Sequence, residues 1–157
     1  NRHFAQTFLC RFMTTDNTME FHRGRLIDHV HLRVDDVATS KRFYQAVLRS
    51  LGRDIDGEGD GCFFADELFV DRADSTPSKI HLAFQAKDEA TVQQFYQAGL
   101  AAGGRDNGAP GERHYHPGYY AAFLLDPDGN NIEAVYHGVA ERSAPSVVIT
   151  TPEPLSS

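Results

Sequence analysis

His29 to Asp54 reads HVHLRVDDVATSKRFYQAVLRSLGRD, and His81 to Asp106 reads HLAFQAKDEATVQQFYQAGLAAGGRD, fifty-two positions further on. Twelve of the 26 aligned positions are identical without a gap. They include His29/His81, Asp36/Asp88, the Phe-Tyr-Gln-Ala runs at 43–46 and 95–98, and Gly52-Arg53-Asp54/Gly104-Arg105-Asp106. The chain is internally duplicated. Two copies are fewer than a stacked solenoid needs, so the duplication predicts two similar half-domains related by a pseudo-dyad and sharing one core. Each copy opens on a histidine, and equivalent residues near such an axis can approach one another.

The repeat carries its own secondary structure. From Ile27 to Val34 residues alternate, with Val30, Leu32 and Val34 on one face of a strand and His29, His31 and Arg33 on the other. Asp36 then reads as a helix N-cap, Phe43, Tyr44, Val47, Leu48 and Leu51 recur at helical spacing, and Gly52 marks the stop. The second copy repeats the pattern, with Asp88 as cap and Gly103-Gly104 as stop. Strand-like runs follow each helix: 62–65 and 68–70 in the first half, 119–125 and 131–136 in the second. DPDGN at 126–130 is a strong turn signal, so the last two runs form a hairpin. Asn107 to Gly118, NGAPGERHYHPG, reads as an irregular loop.

The 157 residues suit one compact domain. A formal charge of −7 without a long Lys/Arg run argues against nucleic acid as a partner. No stretch is long and apolar enough for a membrane-spanning helix. Cys10 and Cys62 support neither a disulfide framework nor a thiolate zinc site, and the simpler expectation is a reducing compartment, the cytoplasm. Residues 1–25 read as an N-terminal arm or tag, with Met13 a possible native start. Residues 139–157 read as an extended C-terminal arm. Between them, 26–138 is a single domain with modules at 26–74 and 79–138.

In the last strand Glu133, Val135 and His137 oppose Ile132, Ala134 and Tyr136. If the polar face is interior, His29, His81 and Glu133 converge as two imidazoles and one carboxylate, leaving open positions on a divalent ion for substrate, water or dioxygen. The alternative is a solvated, hydrogen-bonded polar face. His31, Arg33, Gln85 and His137 share the inferred cavity face, where His31 is the candidate proton shuttle or else a partner of the ligands. His114, Tyr115, His116, Tyr119 and Tyr120 form either a lid or a packed rim loop. Cys62 has no sequence-adjacent base and reads as a buried thiol. Gly57, Gly59 and Gly61 precede no helix and make no phosphate cradle.

A His-bearing strand, a helix containing Phe-Tyr and ending in Gly, the same again, and a closing LLDPDGNNIE together resemble the vicinal oxygen chelate superfamily: glyoxalase I, the bleomycin- and fosfomycin-resistance proteins and extradiol dioxygenases. The resemblance covers Leu26 to His137. It implies an α+β fold of two βαβββ modules whose sheets make an incomplete barrel, commonly in a homodimer. It also implies metal ligands at His29, His81 and Glu133 for Fe, Mn, Zn or Ni, with Glu133 and His31 the candidate catalytic groups. Glyoxalase I enzymes usually have a further ligand late in the first module, where this chain carries Phe69 and Val70. Glu67 or Asp71 would serve there only after a shift of register. The resemblance thus implies a metal enzyme acting on a small oxygen-bearing molecule. The alternative it leaves open is a metal-free protein that sequesters one.

Overall fold

The computed structural model describes residues 19–23, 26–139 and 147–151. Strand β1 (Met19–Arg23) stands outside the repeat. The first module follows as β2 (Val30–Val34), α1 (Val37–Ser50), β3 (Gly57–Gly59), β4 (Cys62–Ala65) and β5 (Leu68–Arg72). The second is β6 (His81–Gln85), α2 (Glu89–Ala101), β7 (Arg105–Glu112), β8 (Tyr120–Leu125) and β9 (Asn131–Tyr136), and β10 (Val147–Thr151) closes the chain. The modules make two separate four-stranded sheets of identical topology, β2-β5-β4-β3 and β6-β9-β8-β7, in which the first strand of each module lies parallel to its last. This is the expected α+β fold of two βαβββ units, each sheet open rather than closed into a barrel.

Local chemistry explains the repetition. The Asp36 carboxylate accepts from Thr39 N at 2.6 Å, and Asp88 accepts from Thr91 N at 2.7 Å, so both helices start where the repeat places a cap. Past the helix ends Gly52 and Gly103 adopt φ of +79° and +96°, a turn that side chains with a Cβ resist. Leu32, Val34, Phe43, Val47, Phe95, Ile132 and their neighbours form one core running through both modules.

Two devices fix the modules to each other. A Cβ on Gly99 would lie 2.2 Å from Leu124 Cδ1 and 3.0 Å from Val47 Cγ1, so its absence lets α2 close against α1. Tyr44 on α1 donates its hydroxyl to Asp126 Oδ2 at 2.7 Å, and Asp126 also accepts from Asn130 N and Nδ2 and from Asp128 N. The DPDGN turn thus forms the β8–β9 hairpin and also satisfies a buried phenol, whose pKa burial first and then Asp126 push well above the usual value.

Two expectations need correction. The first strand begins at Val30, so His29 lies just before it; Val30 N already bonds Glu67 O at 2.7 Å. Residues 107–112 belong to strand β7, antiparallel to β8, and the irregularity of NGAPGE appears as register shifts between Asp106/Gly108 and Gly108/Gly111. Outside the repeat, and without bearing on the reading of these segments as arms, β1 and β10 pair antiparallel from Met19↔Thr151 to Arg23↔Val147. Cys62 is half-buried on β4, and Cys10 and Met13 lie outside the described residues. No helix among the described residues is long and apolar enough to cross a membrane.

Candidate functional site

The polar site is densest on the second sheet. His81 opens β6, and Glu133 sits on the neighbouring parallel strand β9, paired with Ala83 two residues beyond His81. That diagonal brings His81 Nε2 to 2.8 Å from Glu133 Oε2. Glu133 is only 3 % exposed, whereas the His81 side chain is 52 % exposed, so the pair is a sunken carboxylate capped by an accessible imidazole. The other oxygen, Oε1, accepts the Tyr119 hydroxyl at 2.6 Å. Burial, followed by this hydrogen bond and the Glu133 charge, holds the Tyr119 phenol up at about 12, so it remains a donor throughout the neutral range.

Tyr119 closes the segment 113–119, and His116 and His137 cluster around it. His116 Nδ1 faces Pro117 O at 2.9 Å, and a carbonyl only accepts, so that nitrogen carries a proton. In the neutral ring Nε2 is then the acceptor, and His137 Nδ1 donates to it at 2.9 Å. The rings stack at 17° and 5.2 Å. Gly118 and Gly138 make the approach feasible: both have φ above +80°, and a Cβ on Gly118 would meet Gly138 Cα at 3.3 Å. Of the five residues read as a lid or rim loop, Tyr119 and His116 reach the site. Tyr115 is exposed and packs edge-on to Tyr119 at 4.9 Å, and Tyr120 accepts from Gln93 Nε2.

The first sheet carries a counterpart. His31 Nε2 and Arg33 Nε lie 2.9 and 2.8 Å from Asp71 Oδ1, as ion-pair contacts outside hydrogen-bond geometry. Asp71 pairs with Arg33, two residues beyond His31, which is the same diagonal that joins His81 to Glu133. Asp71 and Phe69 share a face because they are two apart on one strand, so Asp71 reaches this side without any slip of register. The position that pairs with His31 is nevertheless Phe69, and Asp71 lies two residues beyond it. Phe69 meets the His31 ring edge-on at 5.2 Å, while Val70 is buried in the core.

His29 is 49 % exposed at its side chain, and its Nδ1 lies 2.7 Å from Asp28 Oδ1. Among the described residues no three His, Cys, Asp or Glu side chains of one chain are grouped to hold a metal ion. Within a chain, therefore, His81 and Glu133 come together and His29 does not join them. The pair itself fits a hard or borderline divalent ion: one imidazole nitrogen and one buried carboxylate, the latter with one oxygen fixed by a phenol. The sequence alone singles out neither Arg113 nor Phe123, and it offers Tyr119 as the start of a strand-like run and a member of a lid or rim loop, not as a partner of Glu133. The alternation of β8 could have signalled Phe123, which pairs with Glu133 and shares its face.

Comparison with known proteins agrees with the fold. A crystal structure of a glyoxalase/bleomycin resistance protein from Albidiferax ferrireducens T118 is similar at 30 % identity and a TM-score of 0.61, covering 69 % of this chain and 95 % of that one. A glyoxalase-related enzyme from Fulvimarina pelagi shares the fold at 19 % identity and a TM-score of 0.63, covering 80 % and 97 %. A lactoylglutathione lyase from Agrobacterium tumefaciens does so at 21 % identity and 0.53, covering 71 % and 92 %. A search of curated proteins gives no match. The family model for the Glyoxalase/Bleomycin resistance protein/Dioxygenase superfamily matches residues 26–134, and with two duplicated βαβββ modules carrying these histidines and carboxylates, the chain belongs to that superfamily.

Proposed function

We propose that the protein is a divalent-metal-dependent enzyme of the vicinal oxygen chelate type, acting on a small oxygen-bearing substrate as a lyase, transferase or dioxygenase. The observation that carries this reading is the His81–Glu133 pair, 2.8 Å apart with the carboxylate buried. His81 and Glu133 would hold the ion. In a symmetric homodimer the first sheet of a second copy would face them, bringing His29, or His31 with Asp71, to complete the set. Pairing through open sheets is a physically reasonable route to such a dimer.

When bound, the ion would act as a Lewis acid toward two neighbouring substrate oxygens. The remaining work falls to the chain. Tyr119 holds one oxygen of Glu133, leaving the other to the ion, and so fixes the orientation of the carboxylate. His31, tethered to Asp71, is placed to take and return a proton at Nε2, and Phe69 beside it keeps that face partly apolar. The cytoplasm suits such a protein with two cysteines.

One observation favours the alternative of metal-free sequestration: His81 and Tyr119 already satisfy both oxygens of Glu133, so the pair is complete as a hydrogen-bonded unit. Metal analysis of tag-free protein purified without chelator, with His81→Ala, Glu133→Ala and His29→Ala alongside, separates the two. The enzymatic reading expects an ion in the wild type that these substitutions remove, together with turnover in one of three assays: catechol cleavage with Fe(II), thiol addition to an epoxide with Mn(II), or methylglyoxal-thiol isomerisation with Ni(II) or Zn(II). A melting temperature indifferent to chelator and added metal would favour sequestration.

A further inference from the structure

Phe123 on β8 lies directly across from Glu133 and on its face of the sheet. Two groups contact its ring. The His81 imidazole meets it at 6.0 Å and 62°, and the Arg113 guanidinium stands with Cζ 5.3 Å from the centroid. Arg113 is half-buried. Its Nη2 donates to Ala109 O at 2.6 Å and Ala121 O at 3.2 Å, and Nη1 donates to Glu112 O at 3.4 Å. These are neutral carbonyls, which aim the group without cancelling its charge. Among the described residues no carboxylate lies within ion-pair distance of Arg113, although Arg33, Arg49 and Arg53 are all so paired. In a chain of net charge −7, a half-buried guanidinium with no counter-ion among the described residues calls for an explanation.

The irregular strand β7 makes room for this arrangement. A Cβ on Gly108 would lie 2.9 Å from Phe123 Cδ2, and one on Gly111 would lie 3.3 Å from Arg113 Nη1. Both positions flank a register shift against β8. The run NGAPGER thus gives up regular pairing and two side chains at the points where the Phe123 ring and the guanidinium need space.

We propose that Arg113, seated on Phe123, recognises the anionic group of the ligand at the His81–Glu133 site, and that this ligand is a small molecule bearing a carboxylate. The inference rests on the reading of His81 and Glu133 as the functional site and adds a substrate class to it. A single positive charge seated on the ring that lies across from the Glu133 carboxylate matches a monoanionic group better than a dianionic phosphate, which Glu133 would repel more strongly. Arg113 also retains donors at Nε and Nη1 beyond those used on the backbone.

The test is nitrogen-15 NMR of the full chain without added metal, following the Arg113 Nε and His81 ring resonances. The probes are the monoanions oxamate, malonamate and 3,4-dihydroxybenzoate, the uncharged oxamide, malonamide and catechol, and inorganic phosphate. At least one carboxylate should shift both residues together while its uncharged counterpart shifts neither. Arg113→Gln should weaken that binding tenfold or more, with Arg113→Lys intermediate; because lysine keeps the charge, it also answers the case in which the glutamine variant unfolds. The proposal is overturned if no carboxylate moves Arg113, if both variants bind as tightly as wild type, or if phosphate binds more tightly than every carboxylate. A carboxylate that shifts His81 but is indifferent to Arg113 removes this inference and leaves the site reading standing. One that binds at Arg113 equally well in His81→Ala and Glu133→Gln removes the site reading itself.

Discussion

The two modules share a topology and a side-chain diagonal but not an electrostatic environment. In the first, Asp71 lies against Arg33 as well as His31, so its charge is already balanced within the module. In the second, Glu133 has a neutral phenol where Asp71 has a guanidinium, and it is far more deeply buried, at 3 % against 25 % side-chain exposure. Burial without a permanent counter-charge is costly, and an arriving cation relieves it. Duplication thus supplied two similar scaffolds, and divergence left one with a buried carboxylate held by a phenol and an imidazole and the other with a charge-balanced face. The position equivalent to Glu133 shows the same divergence. Glu133 pairs with Ala83, whose repeat equivalent His31 pairs with Phe69, so the first module has a phenyl ring where the second has its carboxylate.

The contrast can be broken most severely at the carboxylates. Glu133→Ala should weaken divalent-metal affinity by roughly 100-fold or more, beyond what supporting residues around a ligand typically contribute. Asp71→Ala should cost less than about tenfold, because Arg33 already neutralises that group. Calorimetric titration with Mn(II) or Zn(II) compares the two, and equal losses would erase the distinction drawn between the modules.

Tyr119→Phe comes next, with an expected loss of about 10–100-fold in metal affinity and little change in fold. Its phenol also reports on the site. The folded-state pKa, about 12, lies above the ordinary tyrosine value. The stability contributed by the Tyr119–Glu133 hydrogen bond is therefore complete below about pH 10 and is lost as pH rises toward 12. Ultraviolet titration should show a late tyrosinate that Tyr119→Phe removes and that divalent metal shifts earlier by neutralising Glu133. A phenol titrating unchanged with and without metal would separate Tyr119 from the ion.

Phe69→Glu tests the comparison in the opposite direction by restoring the carboxylate that the repeat lacks. A gain of about tenfold in metal affinity is expected if the first sheet faces the ion in a dimer. No gain, in a protein that light scattering shows to be dimeric, would place the first sheet elsewhere. The smallest effects should be equal between modules: Asp36→Ala and Asp88→Ala each remove one matched cap and should cost about 1 kcal/mol of stability. Denaturant melts would show whether the scaffolds are as alike as their caps.

Much of the scaffold was legible because backbone rules act locally. Both N-caps, both glycine stops and the DPDGN hairpin stand where the repeat put them. Strand β7 was not, because its glycines and proline look like loop residues and are tolerated only through pairing with β8. For the site, alternation placed Glu133 on one face, and the parallel neighbour β6 brings His81 to it. The place of His29 depends on where the strand starts, a boundary that alternation alone does not define. The contacts of Asp71, Tyr119 and Arg113 were not legible because they arise from partners on other strands: His31 and Arg33, the Glu133 carboxylate, and the Phe123 ring.

The most direct test of the central claim is calorimetric titration of a divalent ion into tag-free, metal-stripped wild type, His81→Ala and Glu133→Ala protein, with dimer mass followed in parallel. The account predicts saturable binding of one ion per His81–Glu133 pair in the wild type and its loss in both variants, with the fold and the dimer intact. Binding of equal affinity in all three proteins, or none in the wild type, would contradict it.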